Sequence, residues 1–160
     1  MRKSLLLLGF TLFGVSIFAQ TKVQNFEKLM ASFKEGKSVR AVIYYAKCKL
    51  ISDGIEQPKS PDAIGGMELD TYEYFDSSVF KGKVPSFVTS SQTILISHPK
   101  YGYVYNYVKI KIRIDNSVEI TARYLKPKRF SKKWKVLMDE TFKGKINDGK
   151  NDAAVSLFAD

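Results

Sequence analysis

The sequence is poor in the residues that usually carry chemistry. Its 160 residues hold one cysteine, one histidine and one tryptophan. A structural zinc site takes about four ligands, which one His and one Cys do not supply, so no metal and no cofactor is expected. A single cysteine forms no internal disulfide framework. No Gly-x-Ser-x-Gly elbow presents a nucleophile. Ile64-Gly65-Gly66 lacks the further glycines, the lysine and the hydroxyl of a phosphate loop, and it precedes a strand. It reads instead as a backbone requirement, a positive φ or a close approach at a strand start. Acidic residues are scarce, 16 against 26 basic ones, for a formal net charge of +10. There are no repeats and no low-complexity tracts. What remains is 44% hydrophobic and 13% aromatic, the composition of an ordinary globular chain with one core.

The first twenty residues stand apart. Met1-Arg2-Lys3 is cationic, and Leu5 to Phe18 is apolar except for Gly9, Thr11, Gly14 and Ser16. Ala19-Gln20-Thr21 then turns polar. A basic start, a short apolar segment and a small residue at the cut are the layout of a secretory signal peptide, with cleavage expected after Ala19. An uncleaved anchor would need a longer run, of roughly 20 apolar residues. Residues 1–19 are therefore assigned to the signal and 20–160 to a single β-rich domain, exported to the periplasm or the medium. Losing Arg2 and Lys3 leaves 24 basic residues against 16 acidic, a net +8.

Residues 22–35 carry Val23, Phe26, Leu29, Met30 and Phe33 at helical spacing, with Thr21 or Asn25 as cap and Gly36 as stop. From Lys37 the period becomes two, through Val39, Ala41, Ile43 and Tyr45. A loop is expected over Lys49 to Pro61, then strands over Met67 to Phe75, Phe87 to Ser97 and Tyr101 to Ile114. Asp115-Asn116-Ser117 is the expected three-residue hairpin loop, pairing Ile114 with Val118, Ile112 with Ile120 and Arg113 with Glu119. Val118 to Leu125 returns, Trp134 to Phe142 follows, and Ala153 to Phe158 adds a short edge strand. Strands joined by short turns favour an antiparallel meander. The expected fold is mainly β (α+β): six to seven antiparallel strands curled into a barrel-like sheet, with one N-terminal helix packed on it.

Leu29-x3-Phe33-x2-Gly36-Lys37-x-Val39-x-Ala41-Val42 runs into Tyr45-x2-Cys48, then Ile64-Gly65-Gly66-Met67 and Tyr72-Glu73-x-Phe75. This pattern, from about Phe26 to Phe158, resembles the VirK family of small exported bacterial proteins. The resemblance implies an exported single-domain protein in a host- or envelope-associated setting. It transfers no active-site residue.

The residues themselves offer several candidates. Arg123, Lys126, Lys128, Arg129, Lys132, Lys133 and Lys135 are seven cations in thirteen residues, with no acid between them. Lys109, Lys111 and Arg113 join them if the hairpin pairs as expected, flanked by Tyr103, Tyr105, Tyr107 and Trp134 as stacking aromatics. One basic surface of this kind attracts an anionic glycan, a lipid head group or an acidic protein. Nucleic acid is not expected as the partner of an exported chain. The plainer reading is a solvated loop and a set of good strand formers. Cys48, between Lys47 and Lys49, is a candidate reactive thiol, or else a half-buried core residue. Glu68, Asp70, Glu73 and Asp76 could supply a glycosidase pair if two of them faced each other across a cleft. His98, beside Pro99, reads as a turn residue in solvent.

The leading expectation is a non-enzymatic binding protein that contacts an anionic partner through the basic loop. The alternatives are a carrier of a small apolar ligand, with a cavity inside the curled sheet, and a hydrolase using the strand carboxylates.

Overall fold

The computed structural model describes residues 20–128 and 133–160. In chain order they form β1 (Thr21–Val23), α1 (Phe26–Lys34), β2 (Val39–Tyr44), β3 (Lys49–Ser52), β4 (Ile55–Glu56), β5 (Ile64–Glu68), β6 (Tyr72–Phe75), β7 (Phe87–His98), β8 (Gly102–Arg113), β9 (Ser117–Pro127), β10 (Trp134–Lys145) and β11 (Val155–Ala159). Short 3-10 turns follow β2 and β6. The protein is mainly β, with antiparallel strand ladders and, among the described residues, one α-helix.

The strands do not form one curled, barrel-like meander. They divide into two open sheets, ordered β1-β11-β2-β5 and β4-β3-β10-β9-β8-β7-β6. The division falls where one strand was expected, between Met67 and Phe75. Met67 and Leu69 are buried at odd positions. After Asp70-Thr71 the inward set becomes even, with Tyr72 stacked on Phe33 of α1 at 3.8 Å between centroids. A single strand has no such change of phase. Leu69, whose N–H donates to the Val39 carbonyl at 2.8 Å, pins the crossing point in the core. β5 therefore pairs with β2, and β6 with β7.

Three other boundaries differ from the sequence reading. The helix starts at Phe26, because Asn25 caps it by accepting from the Lys28 N–H at 2.9 Å. The residues before it pair as β1 with the C-terminal strand instead. Lys49 to Pro61 is not all loop: β3 and β4 form a hairpin around Asp53-Gly54, both at positive φ. β11 is not an edge strand. It lies between β1 and β2, with Val155, Ser156 and Leu157 all buried, as a strand covered on both faces must be.

The β8–β9 hairpin keeps the expected faces but not the expected partners. Ile112 lies opposite Val118, Ile110 opposite Ile120 and Lys111 opposite Glu119. The loop has three residues, Ile114-Asp115-Asn116, and Asn116 takes the left-handed position at φ 64°. A shift of two in register leaves the alternation intact, so the core is unaffected. A shift of one would turn the apolar set of one strand outward, Ile110 and Ile112 or else Val118 and Ile120, each side chain worth about 2 kcal/mol of burial. The core lies between the sheets. Val39, Ala41, Ile43 and Leu157 meet Ile110, Ile112, Ile120 and Phe142, and Phe26, Leu29 and Phe33 of α1 join the same cluster. Asn116 also ties the hairpin tip to the helix, since its Oδ1 accepts the Phe26 N–H at 2.7 Å.

Candidate functional site

The inner face of the larger sheet is apolar only part of the way along. Across β3, β10, β9 and β8 the row Leu50, Phe142, Ile120, Ile110 is followed by Ser52, Glu140, Ala122, Val108, and then by Met138, Tyr124, Asn106. The first row is buried, as are Ala122 and Val108 of the second, whereas Met138, Tyr124 and Asn106 of the third are only partly covered. Leu50, Phe142, Glu140, Ala122, Met138, Tyr124 and Asn106 of these rows, with Ala63, Ile64 and Gly65 around the start of β5, bound a cleft of about 680 Å³. The turn between β7 and β8, with His98, Lys100 and Tyr101, forms the far lip. The volume is in the range of small-molecule sites.

Tyr45 sits at the boundary between core and cleft, its ring tilted against Phe142 at 4.6 Å. Gly65 makes room for it: a Cβ there would lie 2.9 Å from Tyr45 Cε2. Gly65 at this strand start thus serves a close approach, and neither it nor Gly66 has a positive φ. Burial pushes the Tyr45 phenol up to about 12, with smaller contributions from Cys48 and Tyr124, so it is a neutral hydrogen-bond donor at pH 7. Glu140 on the cleft wall is likewise pushed upward by desolvation. Among the described residues no hydrogen bond or ion pair reaches its carboxyl group. His98 is not a free turn residue. Its ring lies 4.8 Å from Tyr101 and 4.9 Å from Tyr124, and its Nδ1 accepts the Lys100 N–H at 3.1 Å.

A second depression, of about 520 Å³, runs beside α1 between Phe26, Met30, Tyr74 and Ile114. Asn25 and Asn116 in its lining are already engaged in the helix cap and the helix–hairpin tie. Orienting a ligand takes free polar groups, and the intersheet cleft offers more of them.

The basic candidates do not assemble into one surface. Lys109, Lys111, Arg113 and Arg123 share the outer face of the larger sheet with Tyr105 and Tyr107, as alternation requires. Two of the four are paired: Arg113 with Glu119 at 2.8 Å, and Arg123 with Asp139 at 2.9 Å. Lys111 lies 3.8 Å above the Phe87 ring, and its pKa is lowered by desolvation and by neighbouring Arg113 and Lys109. Lys126 and Lys135 pair across β9 and β10, on alternate positions that face the other way. Lys126 Nζ donates to the Tyr101 carbonyl at 3.3 Å, next to the cleft. Lys128 N–H donates to the Lys133 carbonyl at 3.2 Å, closing the connection. Arg129 and Lys132 lie outside the described residues.

The aromatic candidates also separate. Trp134 meets Tyr105 edge-on at 5.3 Å, so these two rings occupy each other. Tyr103 is 72% exposed. Tyr101, in the turn before β8, lines the cleft. Cys48 is not an activated thiol. It is buried, its Sγ–H reaches the Tyr44 carbonyl at 3.7 Å, and burial pushes it up to about 11. The flanking cations are turned to other partners, Lys47 to Asp152 and Lys49 to Glu56. The strand carboxylates are not brought to one cleft either. Glu68, on the smaller sheet, pairs with Arg40 at 3.1 Å, whereas Glu73 lies on the larger sheet in a separate depression.

Sequence reasoning missed Glu140, Tyr124, Lys59 and Lys100 as site residues. One signal was present. Asn106 interrupts the apolar face of β8, and that break marks the end of the core and the start of the cleft.

Fold and site define a class: a small two-sheet β domain, capped by one helix, with a half-open cleft between the sheets. The family model for VirK protein matches residues 22–130, and the chain belongs to the VirK family. Among solved structures, a VirK family protein from Legionella pneumophila has the same fold. It aligns with TM-score 0.61 at 16% identity, covering 86% of this chain and 98% of that one. No curated protein matches the sequence. Among the described residues no helix is long and apolar enough to cross a membrane.

Proposed function

We propose that this VirK-family protein is an exported, non-catalytic binding protein that holds a small, largely apolar molecule between its two sheets. The observation that carries the reading is the cleft of about 680 Å³, whose apolar lining of Leu50, Ala122, Met138 and Phe142 is continuous with the core. Export rests on the cationic start and apolar run of residues 1–18. The test uses Nile red, a neutral dye whose emission shifts blue in apolar surroundings. The protein should bind it saturably. Ala122→Phe, which fills the cleft from its floor, should reduce the affinity at least tenfold with folding intact by circular dichroism. No saturable binding, or equal binding by a folded Ala122→Phe variant, would overturn the reading.

A second reading keeps the anionic partner and moves it to the outer face. Lys109, Lys143 and Lys145 have no carboxylate within ion-pair distance among the described residues. Replacing these three by Ser should then lower the salt needed to elute the protein from a heparin-type column. If the loop set Lys126, Lys128, Arg129, Lys132 and Lys133 changes elution and the strand set does not, the contact belongs to the loop.

A further inference from the structure

We infer that the molecule held between the sheets is an amphiphile with one anionic head group, a carboxylate or a phosphate, placed at the lysine-bearing lips of the cleft. This rests on the binding function proposed above and names the ligand's chemistry. The cleft has two unlike parts. Its floor is Leu50, Ala122 and Phe142, which suits an alkyl or similar apolar body. Its lips carry Lys59, from the segment before β5, and Lys100, from the turn between β7 and β8. A third ammonium, Lys126 Nζ, is 3.3 Å from the carbonyl of Tyr101, itself a lining residue. None of these lysines has an ion pair among the described residues. Arg40, Lys47, Lys49, Arg113 and Arg123 are ion-paired elsewhere, whereas, among the described residues, Lys109, Lys143 and Lys145 on the outer face are not. Three ammonium groups thus stand at or beside the mouth of an apolar cleft without an ion-pair partner among the described residues.

Glu140 is the one acid in the lining, and it does not reverse the balance. Desolvation raises its pKa, and its single carboxyl group stands against the ammonium groups of Lys59, Lys100 and Lys126. The histidine is held between Tyr101 and Tyr124 with Nδ1 accepting, which leaves Nε2–H as a further donor in the same lining.

The test is isothermal titration calorimetry with four probes that share a dodecyl chain, each below its micelle-forming concentration. They are dodecanoate, dodecyl phosphate, dodecyltrimethylammonium and dodecyl maltoside. At least one anionic probe should bind tenfold or more tighter than the cationic one, and the tighter of the two anions identifies the head group. Lys59→Gln with Lys100→Gln should weaken the anionic probe about tenfold and dodecyl maltoside much less. Binding of dodecyl maltoside with no preference for the anions overturns this inference alone. Absence of binding by all four probes overturns the binding function as well. Anion binding that survives Ala122→Phe is surface adsorption and overturns the inference.

Discussion

Replacing Gly144 by alanine should destabilise the protein, although alanine is the better strand residue. Gly144 lies in β10 where the larger sheet comes against the segment leading into β11. An added Cβ would sit 2.8 Å from the Ala154 Cβ and 3.4 Å from the Cys48 Sγ. Ordinary carbon–carbon contact is about 3.5–4.0 Å, so the first contact is short by roughly 1 Å. Neither neighbour is a flexible side chain that can swing away. Ala154 is 2% exposed and Cys48 is buried, so relief requires the two backbones to part. Overpacking of this kind costs about 1–3 kcal/mol, and the lower chain entropy of alanine returns about 0.4–1 kcal/mol. The net expectation is a loss of about 1–2 kcal/mol, read as a lower urea midpoint at unchanged slope by far-UV circular dichroism. Ala154→Gly removes the opposing atom. The double variant should therefore be more stable than the two single losses added together, by about 1 kcal/mol of coupling. A Gly144→Ala protein as stable as the parent, or strict additivity in the double variant, would refute the reasoning that the close approach of Ala154 requires glycine at position 144.

Three further outcomes are expected. The Glu119 carboxyl is held below the usual glutamate range, first by its hydrogen bond from Arg113, so its stabilisation is fully present above the ordinary glutamate pKa and is lost as pH falls through the lowered folded value. Glu119→Gln should thus cost about 1 kcal/mol at pH 7 and almost nothing in strong acid, measured by urea unfolding across that range. Asn116→Gly keeps the left-handed turn but loses the bond to the Phe26 N–H, costing about 1 kcal/mol, whereas Asn116→Ala also strains the backbone and should cost about 2 kcal/mol or more in the same assay. Cys48, buried and pushed up to about 11, should react with a thiol reagent at pH 8 many times more slowly in the native protein than in urea.

The strands β7 to β10 and their faces were legible locally, because side-chain alternation is a property of consecutive residues. The helix stripe of Phe26, Leu29 and Phe33 was legible for the same reason, as was the placement of Lys109, Lys111 and Arg123 on one face. The family pattern was also legible, since it is a matter of residue order. The division into two sheets was not. It depends on which partner β5 and β6 find, and only a change of phase after Leu69 hints at it. Nor was the C-terminal strand legible as a central one, because its neighbours, β1 and β2, come from the opposite end of the chain. The cleft follows from both: the inner face of the larger sheet is buried along one part and only partly covered at the row of Asn106 and Tyr124. The sequence by itself determined periodicity, turns, charge and family. Tertiary pairing decided which cations are neutralised by Glu119 and Asp139 and which, at Lys59 and Lys100, border an open apolar surface. Charge is a property of composition, whereas the availability of a charge depends on what long-range packing places beside it.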